Sequence, residues 1–193
     1  MSLPQNAVSP TATYSEFMPP KNVPYAPLVS LHYGGVALND SSQGRLVDIW
    51  TFSLSGNDVQ VARTIGAPTV LFTRAGITHL SGAFDSNMQP VVVFKDGTGC
   101  FIWYFDSLAG SFIFKAVAGA SSIQCATDDL REFNSSQSDV VAVYLRAGAV
   151  YWRQQRNRYD TEYTAGTATG TVTRVGMNQG VRFQIEVDPR TNL

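Results

Sequence analysis

The sequence predicts an all-β, antiparallel chain of propeller-blade-like repeats, forming an incomplete propeller or a sandwich-like stack, with an extended N-terminal arm. Three observations carry that expectation. Valine outnumbers leucine 20 to 12, and Thr, Tyr and Phe are plentiful, a composition that suits pleated sheet better than helix. Short apolar runs alternate with clusters of turn residues, and no stretch of eleven residues carries a helical stripe. Six of the nine prolines fall within the first 27 residues, where fixed φ and missing amide donors rule out a helix or a central strand.

Taken in order, residues 1–27 read as the arm and residues 28–193 as the β body. The arm holds Tyr14, Phe17 and Tyr25 among its prolines, side chains that a purely solvated tail does not require. Two readings stand: an extended segment lying on its own body or a neighbouring subunit, or a disordered leader of the kind common at chain ends. In the body, Val70-Leu71-Phe72, Val91-Val92-Val93-Phe94 and Val140-Val141-Ala142-Val143-Tyr144 read as strands. Asn39-Asp40-Ser41-Ser42, Ser55-Gly56-Asn57-Asp58, Asp96-Gly97-Thr98-Gly99 and Asn134-Ser135-Ser136 read as turns between them. Residues 128–133 have room for one helical turn. Near the end, Val181, Phe183, Ile185 and Val187 alternate with Arg182, Gln184 and Glu186, the pattern of a strand with one buried and one wet face.

The tryptophans suggest an internal repeat. Trp50, Trp103 and Trp152 are the only three, and their surroundings align: Asp48-Ile49-Trp50-Thr51-Phe52 with Phe101-Ile102-Trp103-Tyr104-Phe105, and Ala149-Val150-Tyr151-Trp152 in third place. Upstream, Val91–Phe94 matches Val141–Tyr144, and Ala83-Phe84-Asp85 matches Ala126-Thr127-Asp128. The expectation is about three blade-like units, with the tryptophans on equivalent, substantially buried strands. A closed propeller uses roughly four to eight blades, so this chain forms either an open stack or a subunit completed by others.

Charge and chemistry exclude more than they specify. Charged residues are 15% of the chain and the formal net charge is −1, which argues against a broad nucleic-acid-binding surface and against sequence-specific nucleic-acid recognition. No apolar run is long enough to span a membrane as a helix. The opening MSLPQNAVSP has neither the basic nor the apolar region of a secretory signal, so a cytosolic protein is expected. Cys100 and Cys125 lack metal or redox spacing and read as small buried hydrophobes. His32 and His79 accompany no nucleophile elbow and no recognisable ligand set; Asp128-Asp129 reads as turn-forming. No cofactor, no metal and no enzymatic activity are expected.

One segment stands apart. Tyr151-Trp152-Arg153-Gln154-Gln155-Arg156-Asn157-Arg158-Tyr159 interleaves three arginines with aromatics. Read as a strand, it places Trp152, Gln154, Arg156 and Arg158 on one face and Tyr151, Arg153 and Gln155 on the other. Arg153, Arg156 and Arg158 are candidate interface residues, ahead of base stacking, with Asp160 and Glu162 able to balance them on a solvated strand instead.

At this segment the sequence resembles virion structural proteins of tailed bacteriophages, the short-tailed type above all. The resemblance runs from Ser138-Asp139-Val140-Val141-Ala142-Val143-Tyr144-Leu145-Arg146-Ala147-Gly148 into residues 151–159. It includes Gly35-Val36-Ala37-Leu38-Asn39-Asp40-Ser41-Ser42-Gln43-Gly44 and Arg174-Val175-Gly176-Met177-Asn178-Gln179-Gly180, and spans about residues 30 to 187. It implies a non-enzymatic component of the tail or head–tail region, working as a symmetric homo-oligomer with other virion tail proteins as partners and assembled in the host cytoplasm. A carbohydrate- or receptor-binding β module of a tail is the alternative, because exposed Trp and Tyr on β scaffolds also suit sugars. A sialidase-type enzyme ranks third: Lys95-Asp96-Gly97-Thr98-Gly99 is similar to the Asp-containing hairpins of sialidase propellers, but the Ser before it and the Trp at the expected offset are missing.

Overall fold

The structure is a computed structural model that describes residues 29–32, 50–63, 66–85, 87, 89–128, 139–178 and 182–189. It is all-β, as the sequence leads one to expect. The first sheet runs β1 (Val29–His32), β2 (Trp50–Ser55), β3 (Asp58–Arg63) and β4 (Thr69–Thr73). The second runs β5 (His79–Phe84), β6 (Pro90–Asp96), β7 (Gly99–Asp106) and β8 (Ser111–Val117). The third comprises β9 (Ser122–Asp128), β10 (Asp139–Arg146), β11 (Ala149–Gln154) and β12 (Tyr163–Thr167), and a two-stranded ribbon pairs β13 (Thr171–Asn178) with β14 (Arg182–Asp188). Every pairing is antiparallel between sequence neighbours. The first strands of successive units lie side by side, β1 against β5, β5 against β9 and β9 against β13, which is how blades follow one another in an open propeller.

Apolar alternation explains the stacking. Phe52, Val59 and Val61 of the first sheet pack on Leu80, Val92, Phe94 and Trp103 of the second. Strand residues alternate sides, so Val91, Val93, Ile102 and Tyr104 point the other way, into a core shared with Ile123, Val140, Ala142 and Tyr144 of the third sheet. Val141, Val143, Leu145 and Val150 of the third sheet then meet Val172 and Val175 of the ribbon. Sheets covered on both faces read as continuous apolar runs, which accounts for Val91–Phe94 and Val140–Leu145. Ile185 and Val187 of β14 are half-buried against that last core.

The tryptophans need correcting. Each four-stranded sheet holds one, but Trp50 opens β2, the second strand of its sheet, whereas Trp103 and Trp152 lie on third strands. Even those two are not equivalent. The two-residue hairpins Gly97-Thr98 and Ala147-Gly148 join the second and third strands of their sheets, and superposing them sets Trp103 opposite Arg153 and Trp152 opposite Ile102. Trp103 accordingly faces the first sheet while Trp152 faces the ribbon. Trp103 is buried; Trp50 and Trp152 are half-buried. The residues that do correspond are Phe94 with Tyr144 and Phe101 with Tyr151, and within each sheet the two rings stack, Phe94 on Phe101 at 5.3 Å and Tyr144 on Tyr151 at 5.8 Å between centroids. Ala147 adopts φ 49° beside Gly148 at φ 78°, so this two-residue turn is completed without a second glycine.

Contact between the first two sheets is close enough to exclude a side chain. Gly82 of β5 lies so near the Phe52 ring that an added Cβ would overlap ring carbons. Gly82→Ala should therefore cost about 1–3 kcal/mol in urea unfolding, and Phe52→Leu in the same chain should recover part of it. An unchanged midpoint for Gly82→Ala would contradict this packing.

Candidate functional site

Polar chemistry concentrates at the turns of the second sheet, where three buried aspartates each serve two masters. Asp85 Oδ1 accepts the amides of Asn87 and Gln89, both at 2.9 Å, while Oδ2 accepts Gln155 Nε2 from the third unit at 2.9 Å. Asp96 Oδ1 accepts the Thr98 amide and hydroxyl at 2.7 and 2.6 Å, and Oδ2 pairs with Arg74 from the connection after β4 at 2.7 Å. Asp106 Oδ1 accepts the Leu108 amide at 2.9 Å, and its carboxylate pairs with Arg158 of the third unit at 2.5 Å. In each case one oxygen closes a local turn, as aspartate side chains commonly do, and the other is bonded to a neighbouring unit.

The Arg-rich segment is not the straight strand that the sequence suggests. β11 stops at Gln154, Gln155–Asn157 form one 3-10 turn, and Arg158 and Tyr159 follow with φ of 54° and 56°. Two consecutive non-glycine residues in the left-handed region are costly, and tertiary contacts hold them. The Arg158 carbonyl accepts Tyr104 Oη at 3.1 Å and Lys115 Nζ at 2.7 Å. Tyr159 is swung fully into the core between the second and third sheets, donating its hydroxyl to the Val140 carbonyl at 3.1 Å. The alternation expected for residues 152–158 therefore ends at Gln154.

Arg153 and Arg158 are engaged within the chain. Arg153 Nε donates to Tyr144 Oη at 2.8 Å, and its other nitrogens reach the Tyr159 carbonyl at 3.2 Å and Glu162 at 3.0 Å. Arg146 Nη2 joins the same Glu162 carboxylate at 2.5 Å, and the Tyr144 hydroxyl donates to it as well. Arg158 is tied to Asp106, and Lys115 pairs with Asp160. Arg156 is exposed. Glu162 thus balances Arg146 and Arg153 inside the third unit, whereas Asp160 and Arg158 pair across to the second. Tyr14, Phe17 and Tyr25 lie outside the described residues.

Local fields follow from these contacts. The hydrogen bond from Arg158 holds the Asp106 carboxyl below the usual carboxylate range. Burial pushes Asp96 and Glu162 up, but hydrogen bonds from Thr98 and Arg74, and from Tyr144, Arg146 and Arg153, outweigh it and leave both lowered. Burial raises the thiols of Cys100 and Cys125 to about 11 and about 12, so neither is a nucleophile at neutral pH. Burial also lowers His79. Among the described residues, no three His, Cys, Asp or Glu side chains gather where a metal ion would be held, and no helix is long and apolar enough to cross a membrane.

Among the exposed large apolar side chains are Phe112, Phe114 and Tyr163. On the outer edge of the second sheet, Trp103 and Phe105 of β7 stand opposite Phe114 and Phe112 of β8. Phe112 stacks on Trp103 at 4.2 Å and 10°, and Phe72 of β4 meets Trp103 at 4.8 Å and Phe114 edge-on at 5.2 Å. Phe112 and Phe114 remain 40% and 45% exposed, and Leu108 in the adjoining turn 76%. Sequence reading did not single out Phe112 or Phe114. The signal was Ser111-Phe112-Ile113-Phe114-Lys115, a strand with phenylalanines two apart on one face of an outermost strand. A second half-open pair, Trp152 and Tyr163, stacks at 4.4 Å on the third sheet, with Asn157 Nδ2 donating to the Tyr163 hydroxyl at 3.3 Å.

Comparison with protein-family models, with curated proteins and with solved structures finds no match.

The carboxylate contacts have a pH signature. Asp96, Asp106 and Glu162 are lowered in the folded chain, so their contribution is complete above the ordinary carboxylate value of about 4 and is lost as pH falls through their folded values. His79 adds an earlier, shallower loss below about pH 6.5, where the unfolded chain takes up the proton first. Asp106→Asn keeps an acceptor for the Leu108 amide but loses the ion pair. Its thermal midpoint should fall below wild type at neutral pH, and the gap should narrow on acidification. A gap that stays constant down to the lowest pH would contradict the ion-pair assignment.

Proposed function

We propose that this chain is a structural subunit of a tailed-bacteriophage virion, placed in the tail or head–tail region, that works through subunit–subunit contacts in a symmetric oligomer and carries out no catalytic step. The observation that carries this reading is, among the described residues, an open stack of three four-stranded blade-like sheets and a two-stranded ribbon, with a ledge of exposed phenylalanines on its outer edge. Repeated sheets bury their faces against neighbours, and exposed aromatic ledges mark surfaces made for contact. The resemblance of residues 138–159 to virion proteins points the same way. In this reading the described arginines and aspartates serve the subunit's own rigidity, and apolar contact serves its assembly.

A carbohydrate- or receptor-binding tail module is the second reading. The half-open Trp152 and Tyr163 rings, flanked by the Asn157 amide, support it, since sugar faces stack on such rings.

The test uses particles. The protein should be found in purified virions at a fixed copy number, and should have a multimeric mass in solution. Removing residues 1–27 should leave its β circular-dichroism signature but impair incorporation. Absence from purified virions would overturn the reading, and normal incorporation of the truncated chain would reduce the arm to a leader. Glycan turnover lost on Asp96→Asn would overturn the non-catalytic part.

A further inference from the structure

We infer that the aromatic ledge of β7 and β8 is the seat for a proline-rich segment, Pro24-Tyr25-Ala26-Pro27, of a second copy of this chain. The inference rests on the subunit reading above and names the surface and the occupant. The ledge offers flat ring faces side by side. Phe112 lies over Trp103 and Phe114 stands across from it, with Phe72 of β4 closing one end. Rings of this kind are what polyproline segments dock on: a proline ring packs against an aromatic face, and the segment loses little conformational freedom because it is already extended.

The same sequence supplies such a segment. Residues 19–27 contain Pro19, Pro20, Pro24 and Pro27 with Tyr25 between the last two, and Pro24 and Pro27 stand at the three-residue spacing of a polyproline turn. Its own chain's ledge cannot take the whole segment. Pro27 precedes Val29, the first residue of β1, by two positions, a span of at most about 7 Å. β1 and β4 are separated by three strand spacings in one sheet, about 14 Å. Val29 is level with Val70 through Ser53 and Gln60, so no slant along the strands shortens the path. The Pro24–Pro27 segment as a whole cannot lie across the rings of its own β4 and β8, and a neighbouring subunit's ledge is the one it fits.

The test places a photo-crosslinking p-benzoylphenylalanine at Phe112 of the full chain, which keeps an aromatic ring there. Light and heavy-isotope chains are unfolded in urea, refolded together, irradiated and digested for mass spectrometry. The expected result is mixed-isotope peptides joining residue 112 to the segment around residues 24–27, lost when Pro24→Ala and Pro27→Ala are introduced together. Crosslinks to the body of a second copy, or no crosslinks from an oligomer, would overturn the inference and leave the self-assembling subunit intact. Crosslinks to the same chain's segment would overturn it too. A monomer with no crosslinks would overturn both.

Discussion

The sheet formed by β5–β8 sends Val91, Val93, Ile102 and Tyr104 to one side and Val92, Phe94 and Trp103 to the other, and neither side can be left in water. An ordinary antiparallel sheet has one wet face and can be covered once. This one needs two covers, and the first and third sheets supply them. The third sheet repeats the condition, with Val140, Ala142 and Tyr144 facing back and Val141, Val143 and Leu145 facing the ribbon. Burial on both faces is what turns a row of meanders into a stack. It also fixes the register within each strand, because a slip by one residue would exchange the two faces and their two different partners.

Hydrophobic cover alone leaves sheets free to slide, and the polar contacts of the second unit oppose that. Asp96 reaches back to Arg74, while Asp85 and Asp106 reach forward to Gln155 and Arg158. Each carboxylate is already fixed by the backbone amides of its own turn, so little freedom remains to be lost when the second oxygen finds its partner. The left-handed pair Arg158-Tyr159 belongs to the same system. Its strain is offset by the burial of the Tyr159 ring and by three donors and an ion pair gathered from β7, β8 and β11. The inter-unit joints thus include partnered polar groups, and Phe112, Phe114 and Leu108 of the second unit stay exposed.

Much of this was readable from local chemistry. The β class followed from valine and turn content, the strands at Val91–Phe94 and Val140–Tyr144 from their apolar runs, and the hairpin at Asp96–Gly99 from its turn residues. The unit boundaries were partly visible in the match of Ala83–Asp85 with Ala126–Asp128, which do correspond as the ends of β5 and β9. Tryptophan misled the alignment for a physical reason. In a sheet buried on both faces a large apolar ring is acceptable on either, so Trp103 and Trp152 share a strand position without sharing a face. The two-residue turns carry the register instead. At Arg158-Tyr159 no glycine or proline announces the left-handed turn, and the contacts that impose it come from residues some fifty positions away. A single sequence holds no local trace of such a bend. The ledge went unnoticed because nothing within Ser111–Lys115 says that β8 is an outermost strand.

If burial on both faces makes the second sheet the element that holds the others, its amides should be among the last to open. Native-state hydrogen exchange in rising urea measures this directly, since it assigns an opening free energy to each strand. The account predicts that β6 and β10 share the highest opening free energy and merge with global unfolding, and that β2–β3 and β13–β14 open no later. Exchange of β6 through an opening easier than that of β2–β3 would contradict it.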